Sequence, residues 1–451
     1  MLRKVISWID SFALAILLFC MCTQIDLGAI GRDTLAQGFA TKRLFIALPD
    51  VALLAVFIWF VARTTLLRAW KKLWWPPFPC WALLIAMLIS IVHAQPLVAA
   101  AQHSLADAHS LGAMFKAIIT TKEVKEALAD TAQWMGYFIF APLLFVNLIY
   151  DASGEKVLLR RRLALVCFTI AVALSVIINI TPYTQISQLW FASPNAYAGF
   201  LALAVPLVFA KVLSHRAVKT ETVWLSGIAG IIALVAVLYT MLSLWAITAL
   251  FLGVLVAGFM YKARLRTATI AVLTLIFAVA VWGRQDYRNF ERFQTWQVPS
   301  ETQRVKKQYI EWYVAARRTA DRRTHAFASG IGPGNYQFSI GSYYARLPNE
   351  EKMPQDSNNL YLVLADSMGI LGLAALLWIL GYFLQRARET LRLSPDDWLA
   401  AGVLGSGVAF FFVNIFHALI IRGVGLVLAF ILSLAIIAKM QAEANQQRSE
   451  T

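Results

Sequence analysis

Between Gly283 and Asn358 the chain carries 12 of its 40 lysines and arginines, and the arginines there fall into two groups. Arg284, Arg288 and Arg292 recur every four residues, which lines them up on one stripe of a helix. Arg317, Arg318, Arg322 and Arg323 form the second group. A guanidinium is a planar fork of permanent charge that grips phosphate oxygens in pairs, whereas an ammonium acts as a point charge. Arg288, Arg292, Arg318, Arg322 and Arg323, with Arg422 in a later hairpin, are therefore candidate ligands for a phosphate or diphosphate. A stripe facing solvent or lipid headgroups would have the same spacing.

Three groups near these arginines in sequence could accept a proton. Asp356 could serve if screened from water, His325 sits between Arg323 and a glycine-rich turn, and His417 closes a late apolar segment. Each reads equally well as a hydrogen-bonded loop or interfacial residue. The turn itself, Gly330-Ile331-Gly332-Pro333-Gly334-Asn335, is a chain reversal, because glycine permits positive φ and proline fixes a bend. It is not a nucleotide loop: no strand pattern precedes it and no Gly-Lys-Ser/Thr follows. His93, His103 and His109 lack helical ligand spacing, and Cys20, Cys22, Cys80 and Cys167 fall in apolar segments without a CxxC pattern. No metal, disulfide framework or other cofactor is expected.

The elements that must position these residues are apolar helices. Of 451 residues 59% are hydrophobic and 14% charged, with a mean hydropathy of +0.64. Soluble domains carry about 25% charged residues, so the composition is that of an integral membrane protein. Segments of about 20 apolar residues can cross a bilayer, and twelve candidates lie near 11–30, 45–62, 79–96, 131–149, 163–180, 196–213, 223–240, 246–260, 267–282, 359–383, 398–416 and 423–438. Segment 246–260 is short, and 359–383 is long enough to tilt or break. The first follows Arg3-Lys4 like a signal peptide but lacks a small-x-small cleavage site, so it is expected to be retained.

The predicted fold is all-α: one polytopic domain over 1–440 with about 12 spans, and a polar cytoplasmic tail at 441–451. Two excursions interrupt it, at 97–130 and 283–358. In the first, Thr120-Thr121-Lys122-Glu123 could cap a short helix lying on the membrane. In the second, Thr302 to Thr324 reads as an amphipathic helix. Val305, Tyr309, Trp312, Tyr313 and Ala316 form its apolar face, and Arg304, Lys307, Glu311, Arg318 and Arg322 its polar one. The bland reading of that helix is a cover over the bundle.

With the N-terminus inside, the inner segments and tail hold 21 lysines and arginines and the short outer loops seven, the expected positive-inside bias. Both termini are then cytoplasmic and the 283–358 loop lies outside. The net charge of +15 is a topology signal, and no nucleic-acid binding is expected. Asp366, inside an apolar segment, is expected to bond to a neighbouring helix or line a cavity, and Asp26 carries the same ambiguity.

Three runs taken as a set resemble the signature of the O-antigen ligase and polymerase superfamily of bacterial membrane glycosyltransferases. They are Ser329-Gly-Ile-Gly-Pro-Gly-Asn-Tyr336, Asn358-Asn359-Leu360-Tyr361-Leu362 and Asp366-Ser-Met-Gly369-Ile-Leu-Gly372. Ser193-Pro194-Asn195-Ala196-Tyr197 also resembles the family's Pro-Asn motif, and the interval from Arg323 to Gly334 matches an arginine-to-glycine spacing of the polymerases. The resemblance covers the C-terminal two-thirds. It assigns Asn195, Gly332, Gly334, Asn335, Asn358, Asn359 and Tyr361 to positioning, and it implies a large outer loop between late helices.

The activity it implies is transfer of a glycan from an undecaprenyl-diphosphate carrier to an acceptor hydroxyl, at the outer face of the bacterial inner membrane. Inner-membrane lipids and a chain-length regulator are the further implied partners, and no nucleotide sugar or metal is needed. The chain departs from the pattern in two places. The ligases carry a histidine where this sequence has Asn358, and their Ser-Arg turn is replaced by Ser243-Leu244-Trp245. The missing histidine favours a polymerase over a ligase. A protein-glycosylating relative stays open, as does, from another class, a non-enzymatic flippase or exporter of the same lipids. A transporter would gather its ionisable residues at mid-membrane between repeats, and no repeat is found here.

Overall fold

A computed structural model describes residues 2–23, 48–93, 122–150, 155–180, 194–213, 244–261, 301–321, 326–336, 340–341, 343, 358–420 and 424–450. Among these residues there is helix and no strand. The helices are α1 (Leu2–Met21), α2 (Leu48–Leu66), α3 (Phe78–His93), α4 (Lys122–Met135), α5 (Ala141–Ile149), α6 (Glu155–Ile180), α7 (Pro194–Leu213) and α8 (Leu244–Met260). After them come α9 (Glu301–Thr319), α10 (Ala326–Ser329), α11 (Leu360–Ser367), α12 (Gly369–Leu393), α13 (Trp398–Val413) and α14 (Gly425–Glu450). A π-helical turn at Gly136–Phe140 joins α4 to α5 without a break.

Five of these runs are long and apolar enough to cross a membrane: Lys4–Met21, Leu48–Leu66, Val124–Ile149, Gly369–Leu393 and Gly425–Glu450. Four apolar helices are shorter, Phe78–His93, Tyr197–Lys211, Trp245–Met260 and Trp398–Val413. The expected spans at 223–240 and 267–282, and most of both excursions, lie outside the described residues. Large apolar side chains on the outside, among them Trp8, Phe12, Ile58, Phe78 and Val92, form the kind of surface that a water-soluble monomer does not expose.

The structure refines three expectations. The 359–383 segment is two helices, broken at Met368, so the span proper begins at Gly369 and α11 stands before it. Residues 122–130, assigned above to an excursion, are the first turns of the long α4–α5 run and no separate surface helix. The 441–451 tail continues α14 as helix to Glu450, since nothing in Gln-Ala-Glu-Ala-Asn-Gln-Gln breaks a helix.

Helix α14 is the axis of the bundle. Every residue from Gly425 to Ala438 is buried, as expected of a helix apolar all round, and α5, α12 and α13 pack around it. Helices α7, α8 and α13 form a tight trio, in which a Cβ at Gly405 would sit 2.3 Å from the Gly253 carbonyl oxygen. Small residues let those two backbones touch, the usual means of close packing in lipid.

The two ends of the bundle differ in chemistry. At one, Asp10 of α1 takes Arg63 Nε of α2 at 3.3 Å, Arg160 Nη2 of α6 at 3.4 Å and the Trp59 indole N–H at 3.0 Å. Lys211 lies over the Trp398 ring at the same end, and Lys439 reaches Glu389 at 2.5 Å. The other end gathers the close of α3, the starts of α4 and α8, helix α9, the glycine turn, and the junctions around α11 and α13.

Candidate functional site

Two of the three sequence runs meet face to face. Gly330, Gly332 and Gly334 have φ of 76°, 96° and 73°, and Gly369 in the helix break has φ 67°. These left-handed conformations favour glycine, and the contact between the runs demands it as well. A Cβ on Gly330 would fall 2.3 Å from the Ser367 carbonyl oxygen, and one on Gly369 would fall 2.2 Å from that of Ala328. Backbone hydrogen bonds close the seam: Ile331 N–H donates to the Asp366 carbonyl at 3.1 Å and Gly332 N–H to that of Ser367 at 3.0 Å. Ser90, near the end of α3, completes it. Its hydroxyl donates to the Ser367 carbonyl at 2.7 Å and accepts from Gly332 N–H at 3.1 Å.

Gly334 lies against α4, where an added Cβ would meet an Asp130 carboxylate oxygen at 2.9 Å. Asn335 is buried and folds back on its own turn, its N–H donating to the Gly332 carbonyl at 3.2 Å and its amide to the Ile331 carbonyl at 3.3 Å.

The third run anchors the start of α11. Asn359 is its N-cap, accepting from Leu362 N–H at 3.1 Å. Leu360 N–H donates to the Asn414 carbonyl at 3.0 Å and the Tyr361 hydroxyl to the Phe411 carbonyl at 2.7 Å, which ties the run to the end of α13. Asn358 holds φ at 48°, a left-handed backbone that asparagine tolerates better than most residues. Its side-chain amide donates to Glu311 Oε2 at 2.8 Å.

The apolar face read from the sequence of α9 is divided: Trp312 packs inward, while Tyr309 is 68% exposed, Tyr313 46%, and Ala316 is also outside. Glu311 and Arg318 are each 2% exposed, on one stripe with buried Val314 and Ala315. The reason lies in what α9 packs against: the Asn358 amide, the Asp366 carboxylate and the turn's carbonyls, a surface that suits charged partners. The outward tyrosines pair an apolar ring with a polar tip and are at home at a wet boundary.

Arg318 Nε stands 3.4 Å from Asp366 Oδ1, with the two side chains 2% and 0% exposed. Its Nη1 also donates to the Tyr336 carbonyl at 3.5 Å. One guanidinium thus spans the end of the glycine turn and the helix break. Asp366 is thus ion-paired with a neighbouring helix, and it lies outside the span that begins at Gly369. Burial pushes its carboxyl up to about 7, with Arg318 pulling the other way. The expectation of Arg318 as a diphosphate ligand changes accordingly: its charge is engaged in holding three segments together.

His417 is buried at the end of the α13 hairpin, its backbone N–H bonded to the Val413 carbonyl at 2.9 Å. Its neighbour Phe416 lies flat on Trp245, with centroids 3.6 Å apart and planes 2° off parallel, and Trp312 of α9 packs on Phe416 at 5.5 Å. The hairpin, α9 and the start of α8 therefore share one aromatic cluster. Asn195 is the second residue of α7, behind Pro194 at the first helical position, where its missing N–H costs nothing. Asp356, His325, Arg288, Arg292, Arg322, Arg323 and Arg422 lie outside the described residues.

Sequence reasoning missed two members of the site. Ser90 carried no signal, being one hydroxyl in an apolar helix. Glu311 did carry one: it is seven residues before Arg318, with Val314 and Ala315 between them at helical spacing. No protein-family model matches the chain, and no curated protein matches it in sequence.

Proposed function

We propose that the chain is a membrane glycosyltransferase that moves a glycan from an undecaprenyl-diphosphate carrier to an acceptor hydroxyl at the outer face of a bacterial inner membrane. The product favoured is a polymer of repeat units. The observation that carries this reading is the convergence of the glycine turn, the Asn358–Tyr361 run and the Gly369 break on one end of the bundle, with α9 presenting Glu311 and Arg318 inward to them. Three separate runs that resemble one family's motifs have a reason to meet if they build one site.

Departure of a diphosphate develops negative charge, which preorganised cationic donors stabilise. With Arg318 engaged, that role falls to Arg288, Arg292, Arg322, Arg323 and Arg422. The aromatic cluster of Trp245, Phe416 and Trp312 gives the neighbourhood the apolar faces typical of small-molecule sites. The positive-inside count supports an outer placement, and the basic residues of the opposite end of the bundle agree with it.

Deleting the gene and resolving the surface glycan on a gel tests the proposal. Single repeat units on lipid A-core are expected, as for a polymerase. Lipid A-core with no repeat would make the enzyme a ligase, and an unchanged glycan ladder would refute both.

A further inference from the structure

We propose that the loop between α2 and α3 is a preformed site for the headgroup of an anionic phospholipid, with Arg68, Lys71 and Lys72 as its phosphate ligands and Trp70 and Trp75 as its anchors at headgroup depth. The inference stands apart from the glycan-transfer reading and needs only that the helices lie in a bilayer.

Arg68 is the first sign. Helix α2 closes with two backbone bonds, Arg68 N–H donating to the Thr65 carbonyl at 3.1 Å and Ala69 N–H to that of Thr64 at 3.0 Å. This pattern puts Arg68 at φ 48°, in the place just past a helix end that glycine usually fills. The left-handed backbone costs an arginine strain that glycine would avoid. Its side chain is exposed, and among the described residues no hydrogen bond or ion pair of that side chain offsets the strain. Strain kept at an exposed residue points to a role beyond the fold. The charge around it is of one sign. Lys71 and Lys72 are exposed in the helical turn Trp70–Lys72, and the sequence has no Asp or Glu between Asp50 and Asp107. The Asp10 carboxylate at this end of the bundle is already taken by Arg63 and Arg160. Trp70 and Trp75 are 40% and 50% exposed on either side of the lysines, and tryptophan settles where a span leaves the lipid.

The loop is also held in place. Trp74 N–H donates to Asn147 Oδ1 of α5 at 2.9 Å, and the Asn147 amide returns a bond to the Trp74 carbonyl at 2.9 Å. Pro76 and Pro77 stiffen the exit, where the Trp81 indole N–H donates to the Pro76 carbonyl at 3.1 Å. Cations on a fixed backbone lose less freedom on binding than cations on a mobile tail. The loop should therefore hold a phosphodiester headgroup beyond what its bulk charge attracts.

The test titrates phosphatidylglycerol or phosphatidylcholine into the full-length protein in zwitterionic detergent and reads bound lipid by native mass spectrometry. Wild type is expected to hold phosphatidylglycerol at least about tenfold more tightly, since each cation near a lipid phosphate is worth about fivefold. Lys71→Gln combined with Lys72→Gln should weaken phosphatidylglycerol binding by about tenfold or more. Arg388→Gln combined with Arg392→Gln removes the same charge from exposed positions on α12 and should bind within about twofold of wild type. Arg68→Gly should weaken phosphatidylglycerol binding about fivefold while raising the midpoint of thermal unfolding without lipid, because glycine relieves the left-handed backbone. Equal retention of the two lipids by wild type overturns the inference. So does a lysine variant that binds no more weakly than the α12 variant, which would make bulk charge the whole effect, or an Arg68→Gly protein that keeps wild-type affinity.

Discussion

Replacing Arg318 by methionine removes a guanidinium that is 2% exposed and stands 3.4 Å from a fully buried carboxylate. Breaking a buried pair from one side costs about 3–5 kcal/mol, because the remaining charge is left unpaired in a poor dielectric. Here the remaining group can escape by taking a proton. Burial already lifts the Asp366 carboxyl from 3.8 to about 7 with Arg318 present, and without that cation it rises further. The deficit of Arg318→Met should therefore grow from pH 5 to pH 8 and stay below its full size at pH 8, where the freed carboxyl still holds much of its proton. In the wild type the sign is the same. The fold binds this proton more tightly than the unfolded chain, so the group's contribution is greatest below about pH 4 and is lost as pH climbs through about 7. Replacing both residues by apolar ones, Arg318→Met with Asp366→Leu, should recover most of the loss and flatten the pH dependence. Reversible unfolding in mixed micelles, followed by tryptophan fluorescence at pH 5, 6.5 and 8, reads Arg318→Met, Asp366→Leu and the double variant against wild type. A deficit under about 1 kcal/mol at pH 8, or one that does not change with pH, refutes the reasoning. So does a double variant as unstable as the two single variants summed.

Gly369→Ala must force a Cβ to 2.2 Å from the Ala328 carbonyl oxygen at φ 67°, so it should cost at least about 2 kcal/mol in the same unfolding assay. Gly381→Ala, in the same helix with no atom within 4 Å of the new Cβ, should raise stability by up to about 1 kcal/mol. Ser90→Ala strips a fully buried hydroxyl that serves both the turn and the break, and about 1–3 kcal/mol of stability should go with it. Arg323→Ala and Arg288→Ala should abolish glycan transfer in vesicles while the protein still inserts. Full transfer by both would make those arginines lipid-facing and not part of the site.

The parts legible in the sequence were those set by local physics. Apolar length marked the helices, and the glycines at 330, 332 and 334 marked a reversal whose φ angles are all positive. The break at Met368 was foreshadowed only by length, because what splits the helix is tertiary: Gly369 takes a left-handed turn so that the glycine seam can close over it. The facing of α9 was not legible for a related reason. Hydrophobic periodicity says which side is apolar, and it points inward only when the partner surface is apolar too. At this position the partner is a polar seam, so Glu311 and Arg318 turn in and the tyrosines turn out. Nothing in the local sequence could have paired Ser90 with residues some 277 positions away.

The burial of α14 has a consequence for how the chain is made. The peripheral helices α1 and α2 have a third of their most apolar 18-residue stretch buried, whereas 83% of that stretch of α14 is enclosed. Helix α14 follows in the chain the helices that pack on it, so α5, α12 and α13 must form with the faces it covers still open. A chain cut short before Gly425 should therefore leave those faces uncovered and be degraded faster than the full chain, which a pulse-chase in cells would read.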